Sequence, residues 1–243
     1  LEKLSQETSY FSGAMLENLM NEAAMIAARN NDPDIKMVHI DKAFFTVLVG
    51  EEKKDRSGIL MKDKKITAYH EAGHALVAKK VSKDNRVTKV SIIPSTKGMG
   101  GFSMNIPPDK MYQTKKDIRN NIMIALGGRA AEEIIFGVEN ITTGAYNDLQ
   151  KATDMVVKMM GVYGMDEELG LLNYEVVLGG NIGSNSIIIE RSKKQIDLLY
   201  NETKKLIIEN SKFLNQIAIN LLDKEVLDEM EINEIIFKKC SIA

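Results

Sequence analysis

The stretch Thr67–Ala78, TAYHEAGHALVA, holds two of the three histidines in the chain, His70 and His74. Four residues turn a helix by about 400°, so the two imidazoles lie on one face and can reach one metal ion. Glu71 directly follows the first histidine, where a carboxylate can take a proton from a water held by that ion. This HExxH spacing predicts the site of a zinc hydrolase.

Gly73 occupies one of the two variable positions of this motif. Glycine inside a helix costs about 1 kcal/mol relative to alanine, so its presence needs a physical reason. We expect the backbone of another element to approach the helix closely at this residue.

Composition excludes several classes of protein. The 243 residues carry 32 basic and 34 acidic side chains, and a net charge of −2 gives no indication of a nucleic-acid partner. The single cysteine, Cys240, excludes an internal disulfide framework and suits a reducing compartment. No apolar run approaches the ~20 residues that span a bilayer, and no signal peptide is visible. The chain begins with leucine, so we expect it to be a piece of a longer protein.

The sequence predicts two domains joined by a charged segment. Ser12 is a typical helix N-cap, and the apolar spacing after it is helical to about Arg29, with a second short helix following. The segment GEEKKDRSGILMKDK has neither helical nor strand periodicity and is interpreted as a linker. We therefore predict a small helical domain over residues 1–49, a linker over 50–64, and a second domain over 65–243.

The second domain is predicted to be mainly α, with a small β element. The motif helix is expected from about Lys64 to Lys80, and alternating β-branched residues predict a strand at 86–93. A second strand is expected at 102–106. The remaining apolar patterns predict helices over 114–137, 144–161, 186–209 and 213–222, and a last helical segment at 223–237.

A catalytic zinc ion needs three protein ligands, so one more must be found. His39 is the remaining histidine, but it lies on the far side of the linker, and we expect an ordinary solvated side chain. The third ligand is then a carboxylate downstream: Glu132 or Glu133 in GGRAAEE, or Asp148 in TTGAYNDLQKATD. The residues alone leave these alternatives open, and a glutamate of the first pair can equally pair with Arg129 or orient a zinc-bound histidine.

Five blocks resemble one protein family in their order along the chain. HEAGHALVA, VSIIP, LGGRAAEEIIFG, TTGAYNDLQKAT and GMDEELG are similar to the peptidase domain of the FtsH family of ATP-dependent zinc metalloproteases, over about residues 65–240. FSGAMLENLMNEAAMIAARNN resembles the small helical lid of an AAA ATPase, which precedes the peptidase in this family. The resemblance implies that His70, His74 and Asp148 bind the metal and that Glu71 is catalytic.

The resemblance also implies a function for the whole protein. It indicates a Zn²⁺-dependent endopeptidase that degrades unfolded or membrane-associated proteins and assembles as a homohexamer, with water activated by zinc and Glu71. The phosphate loop GxxxxGK[ST] is absent, so ATP is expected only in the full-length protein. Membrane anchoring is expected through segments missing from this chain, which is itself expected to be soluble. The full-length protein is expected in an organellar or bacterial inner membrane.

Two other functions compete with this interpretation. The 65–243 domain can instead be a helical module that builds a hexamer and holds a non-catalytic zinc. Structural zinc sites are usually rich in cysteine, and the single cysteine argues against such a site. A different HExxH enzyme, such as an aminopeptidase, is the third possibility.

Overall fold

The computed structural model describes residues 11–237 apart from 52, 54, 56, 57, 83, 97, 99 and 109, together with residues 4, 5 and 8. Cys240 lies outside the described residues. The described residues divide into two compact units. The small unit lies within Leu1–Ile59 and Ile93–Phe102, and the large unit lies within Leu60–Ile92 and Ser103–Ala243.

The small unit contains two packed helices, α1 (Gly13–Arg29) and α2 (Met37–Val49). The Ser12 side chain accepts a hydrogen bond from the backbone N–H of Met15, as its predicted role of N-cap requires. Apolar side chains at helical spacing bury one stripe of each helix. The buried residues of this core are Leu19, Ala23, Ile26, Ala27, Ile40, Ala43, Phe44 and Val49.

His39 lies in α2 of the small unit and is only 1% exposed, so the expectation of a solvated side chain is wrong. Its Nδ1 atom accepts the backbone N–H of Lys36 at 3.1 Å, and its Nε2 atom lies 3.1 Å from a carboxylate oxygen of Asp32. The imidazole therefore closes the first turn of α2 and is held by local contacts.

The large unit consists mainly of helices. They are α3 (Met61–Val81), α4 (Lys115–Phe136), α5 (Tyr146–Gly161), α6 (Tyr174–Val177), α7 (Ser186–Glu209), α8 (Ser211–Lys224) and α9 (Glu229–Phe237). Short 3-10 turns at Val138–Asn140, Thr143–Ala145 and Ile182–Ser184 connect some of them. The predicted mainly α fold is confirmed. None of the described helices has a stretch long and apolar enough to cross a bilayer.

The β element is a three-stranded sheet in the order β2-β1-β3. Strands β1 (Arg86–Ser91) and β2 (Phe102–Ile106) were expected, although β1 ends two residues earlier than predicted. Strand β3 (Val226–Asp228) lies in a segment predicted as helical, so that part of the prediction is wrong. It pairs antiparallel with β1, with Val90 opposite Leu227, and α9 begins only after it.

Helices α3 and α4 cross with their backbones in contact. A Cβ atom on Gly73 would lie 2.4 Å from the carbonyl oxygen of Gly127, and one on Gly127 would lie 2.9 Å from that of Gly73. Real Cβ atoms essentially never come so close, so both positions require glycine. The close backbone approach expected at Gly73 is confirmed, and it fixes the separation of the two helices.

Candidate metal centre

Helix α3 brings His70 and His74 together one turn apart. Both residues are 8% exposed, and their Nε2 atoms lie 3.0 Å from one another. The i, i+4 spacing accounts for the shared face, because Cβ atoms four residues apart point the same way along a helix.

Asp148 stands in the first turn of α5 and faces both imidazoles. Its Oδ2 atom lies 3.2 Å from Nε2 of His70 and 3.3 Å from Nε2 of His74. Among the described residues, these three form the one group of histidine, cysteine or carboxylate side chains that is arranged to hold a metal ion. Two imidazoles and one carboxylate are a donor set suited to zinc.

The Nδ1 atoms of the two histidines make hydrogen bonds to residues of α4. Nδ1 of His70 donates to Oε1 of Glu132 at 2.6 Å, and Nδ1 of His74 donates to the carbonyl oxygen of Ile124 at 2.7 Å. With the Nδ1 protons committed to these acceptors, both Nε2 atoms face Asp148 and are the ring atoms available to a metal ion. Such contacts fix the tautomer and orientation of metal-binding histidines.

Glu132 also anchors the loop that leads to Asp148. Its second oxygen, Oε2, accepts the backbone N–H of Thr142 at 2.8 Å. Arg129, one turn earlier on α4, donates from Nη1 to the carbonyl oxygen of the same residue at 2.8 Å. Both backbone groups of Thr142 are therefore held by α4, six residues before Asp148. Sequence reasoning offered Arg129 only as a partner for Glu132 or Glu133 and gave no role to Thr142, although both lie in the quoted blocks GGRAAEE and TTGAYND.

Glu71 lies beside this group and is 7% exposed. Burial raises the pKa of its carboxyl group, and the neighbouring histidines only partly oppose that effect. A carboxylate whose pKa is raised toward neutrality is a better proton acceptor than an ordinary glutamate.

The ionisable groups of the site shift one another's pKa values. Burial favours the neutral ring of His70, but hydrogen bonds to Asp148 and Glu132 outweigh burial and raise its pKa to about 10. Burial also opposes ionisation of Asp148, yet hydrogen bonds to both histidines hold the pKa of that carboxyl group well below its usual range. A proton and a metal ion use the same Nε2 lone pair, so metal affinity falls as the pH falls.

The dimensions of the site fit zinc. The three facing atoms are separated by 3.0, 3.2 and 3.3 Å. In a tetrahedral site with zinc–ligand distances of about 2.0–2.1 Å, ligand atoms lie about 3.3–3.4 Å apart.

Gly128 of α4 packs directly on the rings, since a Cβ atom there would lie 2.5 Å from Nε2 of His70 and 2.6 Å from Nε2 of His74. Only glycine leaves these atoms accessible.

The other candidate metal ligands, Glu133 and His39, do not belong to this group of three residues. Glu133 accepts hydrogen bonds from the hydroxyl group of Tyr200 at 2.6 Å and from Nζ of Lys204 at 3.0 Å, so it points away from the histidines. His39 belongs to the small unit and is not part of the group.

A helix that carries HExxH, crossed by a glycine-bearing helix and faced by an aspartate from a third, defines a zinc metallopeptidase fold. The model of Peptidase family M41 matches residues 58–235, and that of the AAA+ lid domain matches residues 1–42. The chain belongs to peptidase family M41, and its cofactor is zinc.

Bacterial relatives resemble nearly the whole chain. The "ATP-dependent zinc metalloprotease FtsH 1" of Alkaliphilus metalliredigens is 54% identical over 97% of this chain and 40% of its own length. The "ATP-dependent zinc metalloprotease FtsH" of Lachnoclostridium phytofermentans is 50% identical over 98% of this chain and 41% of its own. The protein of that name from Helicobacter pylori strain J99 is 37% identical over 97% of this chain and 39% of its own length. The chain thus spans about two fifths of the length of these curated relatives.

Proposed function

We propose that this chain is the peptidase part of an ATP-dependent zinc endopeptidase that degrades unfolded or membrane-associated proteins. The observation that carries the proposal is the approach of His70 Nε2, His74 Nε2 and Asp148 Oδ2 to one another, with buried Glu71 beside them. Coupling to an ATPase is proposed because the relatives' names state it and an AAA+ lid model matches residues 1–42.

His70, His74 and Asp148 would hold the zinc ion. When bound, zinc supplies a Lewis acid that acidifies water and polarises a carbonyl group. Glu71 accepts the proton of the attacking water, because its raised pKa suits it to that task, and it then delivers the proton to the departing amine. Glu132 and the carbonyl group of Ile124 keep both imidazoles in the tautomer that presents Nε2.

The domain assignment stays a proposal as well. We assign residues 1–49 to an AAA helical lid, 50–64 to a linker and 65–243 to the peptidase. Residues 61–64 of the proposed linker already belong to α3, so the break in regular structure before the peptidase ends at Leu60.

The metal ligands can be tested by zinc content. Asp148→Ala is expected to lose the roughly one zinc per chain found in the parent, because two ligands hold zinc too weakly to survive purification. Glu132→Ala is expected to keep zinc in the presence of excess metal, with affinity lower by about 10–100-fold, since Glu132 acts through His70. Elemental analysis measures the metal content, and an internally quenched peptide with a blocked amino terminus reports endopeptidase activity.

Zinc retained in Asp148→Ala and lost in Glu132→Ala would move the third ligand to Glu132. One stable zinc per chain without cleavage of any unfolded substrate would instead support the assembly module with a non-catalytic metal. Cleavage only of peptides with a free amino terminus would indicate an aminopeptidase.

A homohexamer is proposed from the family resemblance and from an exposed apolar segment of the large unit. Leu171 is 96% exposed, and three more apolar side chains of the same segment are well exposed: Leu172, Val176 and Val177. Apolar side chains grouped in this way are typical of a surface that a partner covers. A second copy of the chain is the partner we propose.

The double variant Leu171→Glu/Val176→Glu is expected to shift the protein from hexamer to monomer, because two charges cannot be buried unpaired in an interface. Sedimentation equilibrium measures the mass. Ile219→Glu, at an apolar residue of α8 that is 60% exposed, is the matched control and should leave the mass unchanged. An unchanged hexamer in the double variant would exclude this segment from the interface.

A further inference from the structure

Lys151 lies on α5 at the edge of the metal centre. It follows Asp148 by three residues, a spacing that makes the two side chains neighbours on the helix surface. The next residue, Ala152, is fully buried, whereas Lys151 itself is exposed. The lysine therefore stands where the buried face of α5 that carries Asp148 meets solvent.

The charge of this lysine is available to a ligand. Lys158 on the same helix pairs with Asp154 at 2.9 Å, and Lys204 pairs with Glu133 at 3.0 Å. Lys151 has no ion-pair partner within the part of the chain that the structure describes. Its position three residues after Asp148 nevertheless keeps this charge within one helical turn of the centre.

The surrounding site is rich in carboxylates. Glu71, Glu132 and Asp148 bring three carboxyl groups to the site, against the two positive charges that a zinc ion would supply. Such a site repels an acidic substrate residue close to the scissile bond. A cation at its rim offsets that repulsion for those substrates and has little effect on neutral ones.

We propose that Lys151 is a specificity-determining residue that favours polypeptides with an aspartate or glutamate next to the cleaved bond. The inference rests on the proposed peptidase function and deepens it by naming a class of preferred substrate. Lys151 needs no contact with the reacting atoms for this role, since the interaction is with a substrate side chain.

The test compares internally quenched peptides that differ at one residue, aspartate, asparagine or lysine, beside a bond located by mass spectrometry. The parent chain is compared with Lys151→Gln, Lys151→Glu and the control Lys193→Glu, which makes the same charge change at an exposed residue of α7. Binding of the same peptides to each variant combined with Glu71→Gln is measured by fluorescence anisotropy. This second measurement does not depend on turnover.

In the parent we expect kcat/KM for the aspartate peptide to exceed that for the asparagine peptide by about fivefold, the factor expected for one charge pair at about 4 Å in water. Lys151→Gln should abolish this ratio, Lys151→Glu should invert it, and Lys193→Glu should preserve it. Added salt should weaken the preference of the parent, because the lysine is exposed.

An aspartate-to-asparagine ratio that is the same in all four chains would overturn the inference while leaving the peptidase function intact. A uniform loss of kcat in Lys151→Gln for every peptide would also overturn it, since that pattern indicates a role in the reaction itself. Preferential binding of the aspartate peptide without cleavage by any chain would support the inference and overturn the proposed function.

Discussion

Glu71→Gln is expected to lower kcat/KM for an internally quenched peptide by about 10²–10⁴-fold, the usual contribution of a general base. The amide keeps the size and burial of the side chain but cannot accept a proton from water. The ligands are untouched, because the Nε2 atoms of His70 and His74 face Asp148 rather than Glu71. The variant should therefore retain about one zinc per chain by elemental analysis.

Glu133→Gln is the matched control for this result. It makes the same chemical change on a carboxylate that is held by Tyr200 and Lys204, away from the histidines. Its activity should stay within a few-fold of the parent. Undiminished cleavage by Glu71→Gln would remove Glu71 from the reaction, and loss of zinc from that variant would mean that Glu71 supports the metal instead.

Gly128→Ala is the second variant with a large expected effect, a fall in zinc affinity of about 100-fold or more together with the loss of cleavage. The added methyl group would lie 2.5 Å from Nε2 of His70 and 2.6 Å from Nε2 of His74. These are the two atoms that would hold the ion. To relieve the clash the two helices would have to separate, which would open their close backbone contact at Gly73 and Gly127 and leave a gap in the core.

Competition with a chromophoric chelator measures this affinity, and circular dichroism checks that the fold survives. Gly183→Ala is the control, since a Cβ atom there meets nothing within 4 Å and the residue has an ordinary φ. Unchanged zinc affinity in Gly128→Ala would show that the two rings can move away from α4 without losing the metal.

Much of the fold could be predicted from periodicity, and the errors have physical causes. Helix α3 begins at Met61 rather than Lys64, because its N-cap, Leu60, makes no side-chain hydrogen bond and carries no start signal. Strand β3 is three residues long, too short to show an alternating pattern, and pairing with β1 specifies it. His39 was expected to be solvated, but packing and contacts with Asp32 and Lys36 bury it.

The motif spacing could predict the two histidines and the glutamate of the centre, but residue chemistry could not choose the third ligand. Glu132 and Asp148 are both carboxylates on helices after the motif, and both contact His70. They differ in the atoms they approach: Glu132 contacts Nδ1 of His70, whereas Asp148 contacts Nε2 of both histidines, and this depends on how three helices pack. The assignment of Asp148 stays a prediction that zinc content tests.

The backbone contact between Gly73 and Gly127 bears on how such a centre could be transplanted into a new scaffold. Side chains in a core can exchange volume with their neighbours, whereas two touching backbones leave nothing to rearrange. A designer who grafts only the five residues from His70 to His74 onto a host helix omits the second helix, whose glycines set how closely the two backbones approach. The smallest portable unit is a helix pair, with Gly73 on one member and Gly127, Gly128 and Glu132 on the other, together with the first turn of α5 that carries Asp148.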